Sequence, residues 1–158
     1  MSRAAGQPDP VERELRPLTP DEEAVVRSLG RIVYSLPRAL DADMIREQRL
    51  SLTEYLALVN LSEAPDRQLR MGDLAETCEM SLSGMTRLAG RLESQGLIRR
   101  VRSEQDARGW NAILTDAGLA RLEEAYPTNL ASVRRHFLDH LTELDLGKLA
   151  AALRNIAT

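Results

Sequence analysis

Residues 71–118 read MGDLAETCEMSLSGMTRLAGRLESQGLIRRVRSEQDARGWNAILTDAG, and the order of signals along this stretch decides the fold. A short helical pattern over Met71 to Cys78, with Leu74 and Ala75 inward, comes first. Ser81 then caps a helix that runs to Gln95 and stops at Gly96, a natural left-handed terminator. Leu82, Met85, Leu88, Ala89 and Leu92 gather on one side of that helix. Ser83, Arg87, Gly90 and Ser94 lie opposite, flanked by Thr86 and Arg91. Gly84 and Gly90 each cost the helix about 1 kcal/mol relative to alanine, for which close approach to a groove or close helix packing is the rationale. Leu97 to Arg102 and Trp110 to Leu114 read as two strands joined by a turn carrying Asp106-x-Arg108. A helix of groove-filling size followed at once by a basic hairpin reads as a winged helix-turn-helix, with two neighbouring probes for duplex DNA.

Toward the N-terminus, Thr19-Pro20-Asp21-Glu22 supplies an N-cap, a proline for the first helical position and a capping-box glutamate, so a helix is expected to begin there. Val25, Leu29, Ile32, Val33, Leu36 and Leu40 recur at helical spacing, and Pro37 is expected to kink or interrupt the helix near Leu36. Ser51-x-x-Glu54 caps a second helix with the stripe Leu52, Tyr55, Leu56 and Val59, ending before Pro65-Asp66. Beyond the hairpin, Thr115 caps a long helix carrying Leu119, Leu122, Tyr126, Leu130, Val133, Phe137 and Leu138, with a bend expected at Pro127. Thr142-x-x-Asp145 is expected to start the last helix, whose seam is Leu146, Leu149, Leu153 and Ile156. The resulting class is mainly α with a small β-hairpin wing.

A length of 158 residues suits one domain, or a small module with helical extensions. Hydrophobic residues make up 43% of the chain, yet no apolar run approaches the ~18 residues that would cross a bilayer. The first residues are polar and Pro-rich with no hydrophobic signal core, so a cytoplasmic location is expected. The single cysteine, Cys78, cannot form an internal disulfide, which agrees with a reducing compartment. A net charge of −3 would argue against a polyanionic partner, but distribution decides. Residues 81–110 carry Arg87, Arg91, Arg99, Arg100, Arg102 and Arg108 against Glu93, Glu104 and Asp106, a window of +3 that leaves −6 for the remainder. A basic tip on an acidic body orients a protein toward DNA. An enzyme is not expected: there is no Gly-rich phosphate loop, no nucleophile elbow, and only two histidines, both late in the chain. No cofactor is implied.

In Gly96-Leu97-Ile98-Arg99-Arg100, then Asp106-Ala107-Arg108-Gly109, then Leu114-Thr115-Asp116-Ala117-Gly118, the chain closely resembles the MarR family of bacterial transcriptional regulators, from about Thr19 onward. The resemblance implies a homodimer in which the first helix and the last two helices of both copies interleave, carrying two winged-helix lobes that bind pseudo-palindromic operators. In many members a small phenolic or other lipophilic effector enters a cleft between base and lobe and releases the DNA. The corresponding division is an N-terminal arm expected to be flexible (1–18), an N-terminal dimerisation helix (19–50), a DNA-binding lobe (51–115) and C-terminal dimerisation helices (116–158). By position, the recognition helix offers Ser81, Ser83, Gly84, Thr86 and Arg87 to DNA, and the wing offers Arg108 to the minor groove with Asp106 bracing it. Trp110 departs from the pattern, since a smaller or charged residue is more usual there.

Each candidate has a plainer counterpart. Arg87 is either a base or phosphate contact or a solvated surface arginine; its neighbours favour DNA. Arg108 can enter a narrow minor groove or close a local turn salt bridge, and the two are compatible. Arg91 stands at the edge of the polar face, suited equally to DNA and to an intramolecular ion pair. Of Arg99, Arg100 and Arg102, which alternate on a strand, one or two are expected at phosphates. Tyr34, Leu36 and Tyr55 are candidates for an effector cleft, although core packing explains them as well. Cys78 beside the turn would disturb the recognition helix if oxidised, but a lone cysteine in an apolar setting is expected to be a buried small hydrophobe. His136 and His140 are four apart with Asp139 beside them, a metal-compatible spacing without a third firm ligand, so no metal site is assigned. The alternative to a DNA reader is a winged-helix module for protein partners, whose sign would be weak, salt-insensitive DNA binding.

Overall fold

The computed structural model describes residues 16–103 and 109–156. The expectations for Asp106 and Arg108, and for most of the N-terminal arm, lie outside the described residues. Two compact units divide the chain, one ending at Tyr34 and the other beginning at Ser35, with the boundary inside helix α1 (Pro20–Gln48).

In the first unit the capping box forms as its sequence requires: the Thr19 N–H donates to Glu22 Oε2 at 2.7 Å and the Glu22 N–H to Thr19 Oγ1 at 3.3 Å. Asp21, Glu22 and Glu23 in the first turn complement the positive end of the helix dipole. Val25, Leu29, Ile32 and Val33 are all exposed.

The second unit continues α1 and adds α2 (Leu52–Glu63), β1 (Gln68–Arg70), α3 (Met71–Thr77), α4 (Leu82–Ser94), β2 (Ile98–Arg102), β3 (Trp110–Leu114), α5 (Asp116–His136) and α6 (Leu146–Arg154). The wing hairpin gains a third strand that the sequence did not announce. β1 pairs antiparallel with β3, giving the order β1-β3-β2, with Leu69 opposite Ala112 and Ala112 opposite Arg100. Met44, Leu58, Leu61, Leu74, Met85, Leu92 and Ala112 are fully buried in one core drawn from α1, α2, α3, α4 and the sheet. Each such leucine contributes about 2 kcal/mol of transfer free energy.

Several local expectations are corrected. Of the two outcomes expected at Pro37, interruption is ruled out, since α1 runs on through it to Gln48. The lost hydrogen bond and ring clash cost about 3 kcal/mol, offset by anchors beyond it: Asp43 is bound to α5, and the Arg121 guanidinium donates to the Gln48 carbonyl at the helix end. On α2 the buried arc is Glu54, Tyr55, Ala57, Leu58 and Leu61, while Leu56 is exposed, because α3, α5 and the sheet surround the helix on a different arc from the expected stripe. Leu82 is 57% exposed because it is the first residue of α4, ahead of the turns that dock on the core. Asp145 caps α6 in place of Thr142: its side chain accepts from the Lys148 N–H at 3.1 Å. α5 ends at His136, so Phe137 and Leu138 are not helical extensions of it.

Two glycines position the wing against α4 and α5. Gly96 adopts φ +74, ending α4 in the left-handed region where a side chain is strained. Gly118, in the first turn of α5, packs so close to β2's approach that a Cβ there would lie 2.0 Å from the Leu97 carbonyl oxygen.

Candidate nucleic-acid interface

The amphipathic pattern of α4 separates as its spacing dictates. Met85, Leu88, Ala89 and Leu92 are at most 2% exposed, and Ser83, Thr86 and Arg87 face outward. Ser81 caps the helix, its Oγ accepting from the Gly84 N–H at 3.2 Å and lying 3.3 Å from Ser83 Oγ. Thr86 Oγ1 donates to the Leu82 carbonyl at 2.8 Å, which leaves the hydroxyl's lone pairs to accept. Arg87 makes no ion pair or hydrogen bond with another described residue, so its five donors are presented to solvent. A Cβ at Gly84 would meet Ser81 Oγ at 3.2 Å and Met80 Cε at 3.3 Å, whereas one at Gly90 would meet nothing within 4 Å. Tight local packing therefore accounts for Gly84 but not for Gly90.

α4 and the wing are tied by charge. Glu93 accepts from Arg100 three times, from its N–H at 2.9 Å, Nε at 2.9 Å and Nη2 at 2.6 Å. Those bonds hold the Glu93 carboxyl below the usual range. Arg102 lies over the Trp110 ring at 5.5 Å, a cation–π arrangement at the base of the turn, and Trp110 is 46% exposed. Arg99 points outward. Between α4 and the sheet runs an open groove of about 640 Å³ bordered by Arg70, Asp73, Leu82, Thr86, Arg100 and Trp110. Arg91 turns away from this groove to α2, its Nε donating to Glu54 Oε1 at 3.1 Å.

Comparison with known proteins matches this arrangement. Residues 50–109 fit the model of the MarR family. The HTH-type transcriptional repressor MdtR of Bacillus subtilis is 33% identical over 115 residues, 73% of this chain and 72% of the relative. Among solved structures, AbsC, a MarR family transcriptional regulator from Streptomyces coelicolor, is 38% identical with a TM-score of 0.79, covering 90% of this chain and 95% of its own. The chain belongs to the MarR family. A second Streptomyces coelicolor member, Sco3205, solved in complex with DNA, is 34% identical with a TM-score of 0.80 over 90% of this chain and 89% of its own. This MarR-family chain is thus a transcriptional regulator, in a family of regulators rather than enzymes.

Within this family member the remaining candidates fall in separate places. Tyr55 is buried in the core and burial raises its hydroxyl pKa; Leu36 is half-buried; Tyr34 is 71% exposed. Cys78 is half-buried beneath Asn60, whose Nδ2 donates to Sγ at 3.4 Å, and burial pushes the thiol up. His136 and His140 do not share a helix: His136 Nε2 donates to Asp43 Oδ2 at 2.9 Å, and His140 Nε2 lies 3.1 Å from the Arg135 carbonyl. No helix among the described residues is long and apolar enough to cross a membrane. Glu54, Glu93 and Asp43, which hold these elements together, were missed as functional residues; only Glu54 carried a sequence signal, and that signal was for a cap.

Proposed function

We propose that this regulator is a sequence-specific repressor that binds an inverted-repeat operator as a homodimer, with Ser81, Ser83, Gly84, Thr86 and Arg87 meeting the major groove and Arg108, braced by Asp106, the minor groove. The observation that carries the reading is Arg87: a guanidinium without a partner among the described residues, on the exposed face of a capped helix whose other face is buried. A dimer is supported by exposed apolar side chains within each unit, Val25, Leu29, Ile32 and Val33 in the first and Tyr126, Leu130, Leu146, Leu153 and Ile156 in the second. These belong to the helices proposed for dimerisation, 19–50 and 116–158, while residues 51–115 form the reading lobe. Two reading helices about 34 Å apart, one turn of duplex, would require half-sites with that spacing. Phosphate contacts would supply affinity and a steep salt dependence, and α4 side chains the base choice. A lipophilic or phenolic effector preferring a dimer with misplaced lobes would lower DNA affinity by linkage. The test is selection from random duplexes by the purified full chain, together with its mass in solution. An enriched inverted repeat bound by two chains is the expected outcome, and a monomer without duplex preference overturns the reading.

A further inference from the structure

Burial of Met85, Leu88, Ala89 and Leu92 sets which face of α4 meets the core, but rotations of a few degrees about the helix axis cost that burial little. Two ion pairs narrow that remaining freedom. Arg91 reaches α2 through Glu54, and Glu93 reaches β2 through Arg100. Residues 91 and 93 are about 200° apart around a helix, so the two tethers pull on opposite flanks. Arg91 also follows Arg87 by one turn on the same stripe, so the angle at which Arg91 is held is the angle at which Arg87 is presented.

Glu54 is built to hold that angle. It is 8% exposed, and its two oxygens have separate tasks. Oε2 accepts from the Ser51 N–H and Oγ, both at 3.0 Å, completing the α2 capping box, and Oε1 accepts from Arg91 Nε. The same turn is pinned from behind, where the Leu52 N–H donates to Asp41 Oδ1 of α1 at 2.8 Å. Burial by itself would raise the Glu54 carboxyl, but the Ser51 N–H and Arg91 outweigh it and keep the group ionised. Side-chain tips lie about 5–6 Å from a helix axis, so a rotation of about 15° moves them roughly 1.5 Å, enough to break a hydrogen bond to a base edge.

We propose that Glu54 is a positioning residue for base reading: through Arg91 it sets the rotation of α4, and with it the placement of Ser83 and Arg87, without touching DNA. The inference rests on the DNA-reading role of α4 proposed above. It assigns Arg91 to the protein's own frame rather than to a phosphate.

The full-length chain carrying Glu54→Gln, Arg91→Ala or both is to be titrated across a salt series with the selected duplex and with a random one. Glutamine keeps the capping box but has one oxygen; with that oxygen on Ser51, its NH₂ faces Arg91 donor to donor. Each single variant is expected to lose roughly five- to thirty-fold on the selected duplex, with random-duplex affinity and salt slope unchanged. The double variant is expected to lose no more than either single, as for two ends of one interaction. A salt slope shallower by about one in Arg91→Ala alone marks a phosphate contact and overturns the assignment. Equal losses on both duplexes overturn it in favour of a purely structural pair. Arg87→Ala separates the two levels: if it relaxes selectivity and Glu54→Gln does not, the positioning role alone fails. If the wild-type chain itself shows no duplex preference, the DNA reading fails and the positioning role with it.

Discussion

Asp43 of α1 accepts a hydrogen bond from the Ser132 hydroxyl of α5 at 2.7 Å, and both side chains are buried. The same carboxylate is met by Arg46 Nη2 at 2.6 Å, His136 Nε2 at 2.9 Å and the Arg135 guanidinium. Four donors on one buried acid are how a charge is kept inside without being neutralised. The cluster fastens the C-terminal half of α1 to α5.

Acid stability follows from it. The Ser132 bond, with Arg46, Arg135 and His136 behind it, outweighs burial and holds the Asp43 carboxyl far below its ordinary value of 3.8. As pH falls, the unfolded chain therefore takes up its proton first. The stabilisation is complete above about pH 5 and is lost progressively below about pH 4, with Glu54 and Glu93, also lowered, adding in the same direction. Asp43→Asn is expected to cost about 1–3 kcal/mol at neutral pH and to flatten this acid limb. Urea unfolding of both proteins between pH 3 and 7 measures it; parallel curves would remove Asp43 as the source.

Gly118→Ala is expected to be among the most damaging single-methyl changes in the chain. The added Cβ would sit 2.0 Å from the Leu97 carbonyl and 2.7 Å from Leu114 Cδ1, so backbone must move. A loss of about 2–3 kcal/mol is anticipated from overpacking. Gly90→Ala, with nothing within 4 Å, is expected to gain about 0.5–1 kcal/mol from helix propensity. Thermal or urea unfolding of the two variants compares them directly, and similar midpoints would contradict the packing described.

Arg87→Ala is expected to cost about 1–3 kcal/mol on the selected duplex and to relax base choice at one position of each half-site. Fluorescence anisotropy with single-base variants of that duplex reports both effects. If selectivity survives intact, the proposed base contact of Arg87 is wrong.

Cys78 is expected to react with a thiol reagent roughly tenfold or more slowly in the folded protein than in urea, since burial disfavours its thiolate and no cation among the described residues offsets that. Stopped-flow labelling under both conditions gives the ratio. Equal rates would reopen oxidation at this position as a control on α4.

The elements proposed to read DNA were legible because their signals are short. Ser81 caps α4 and Thr115 caps α5 within three residues of their partners, and the Gly96 stop needs only one backbone angle. β1 was not legible: three residues are too few to show a period, and Gln68–Arg70 is a strand only because β3 lies beside it. Leu56 and Leu82 read as core and are exposed, because which arc of a helix is buried depends on what packs around it.

By itself, then, the amino-acid order determined the capped helices, the exposed polar face of α4 and the hairpin after it, all through interactions spanning a few residues of chain. Tertiary structure decided the partners of the charges. Glu54 meets Arg91 across 37 positions and Asp43 meets Ser132 across 89. Such pairs are selected by distance and desolvation once the core has closed, and neither quantity is written in local spacing.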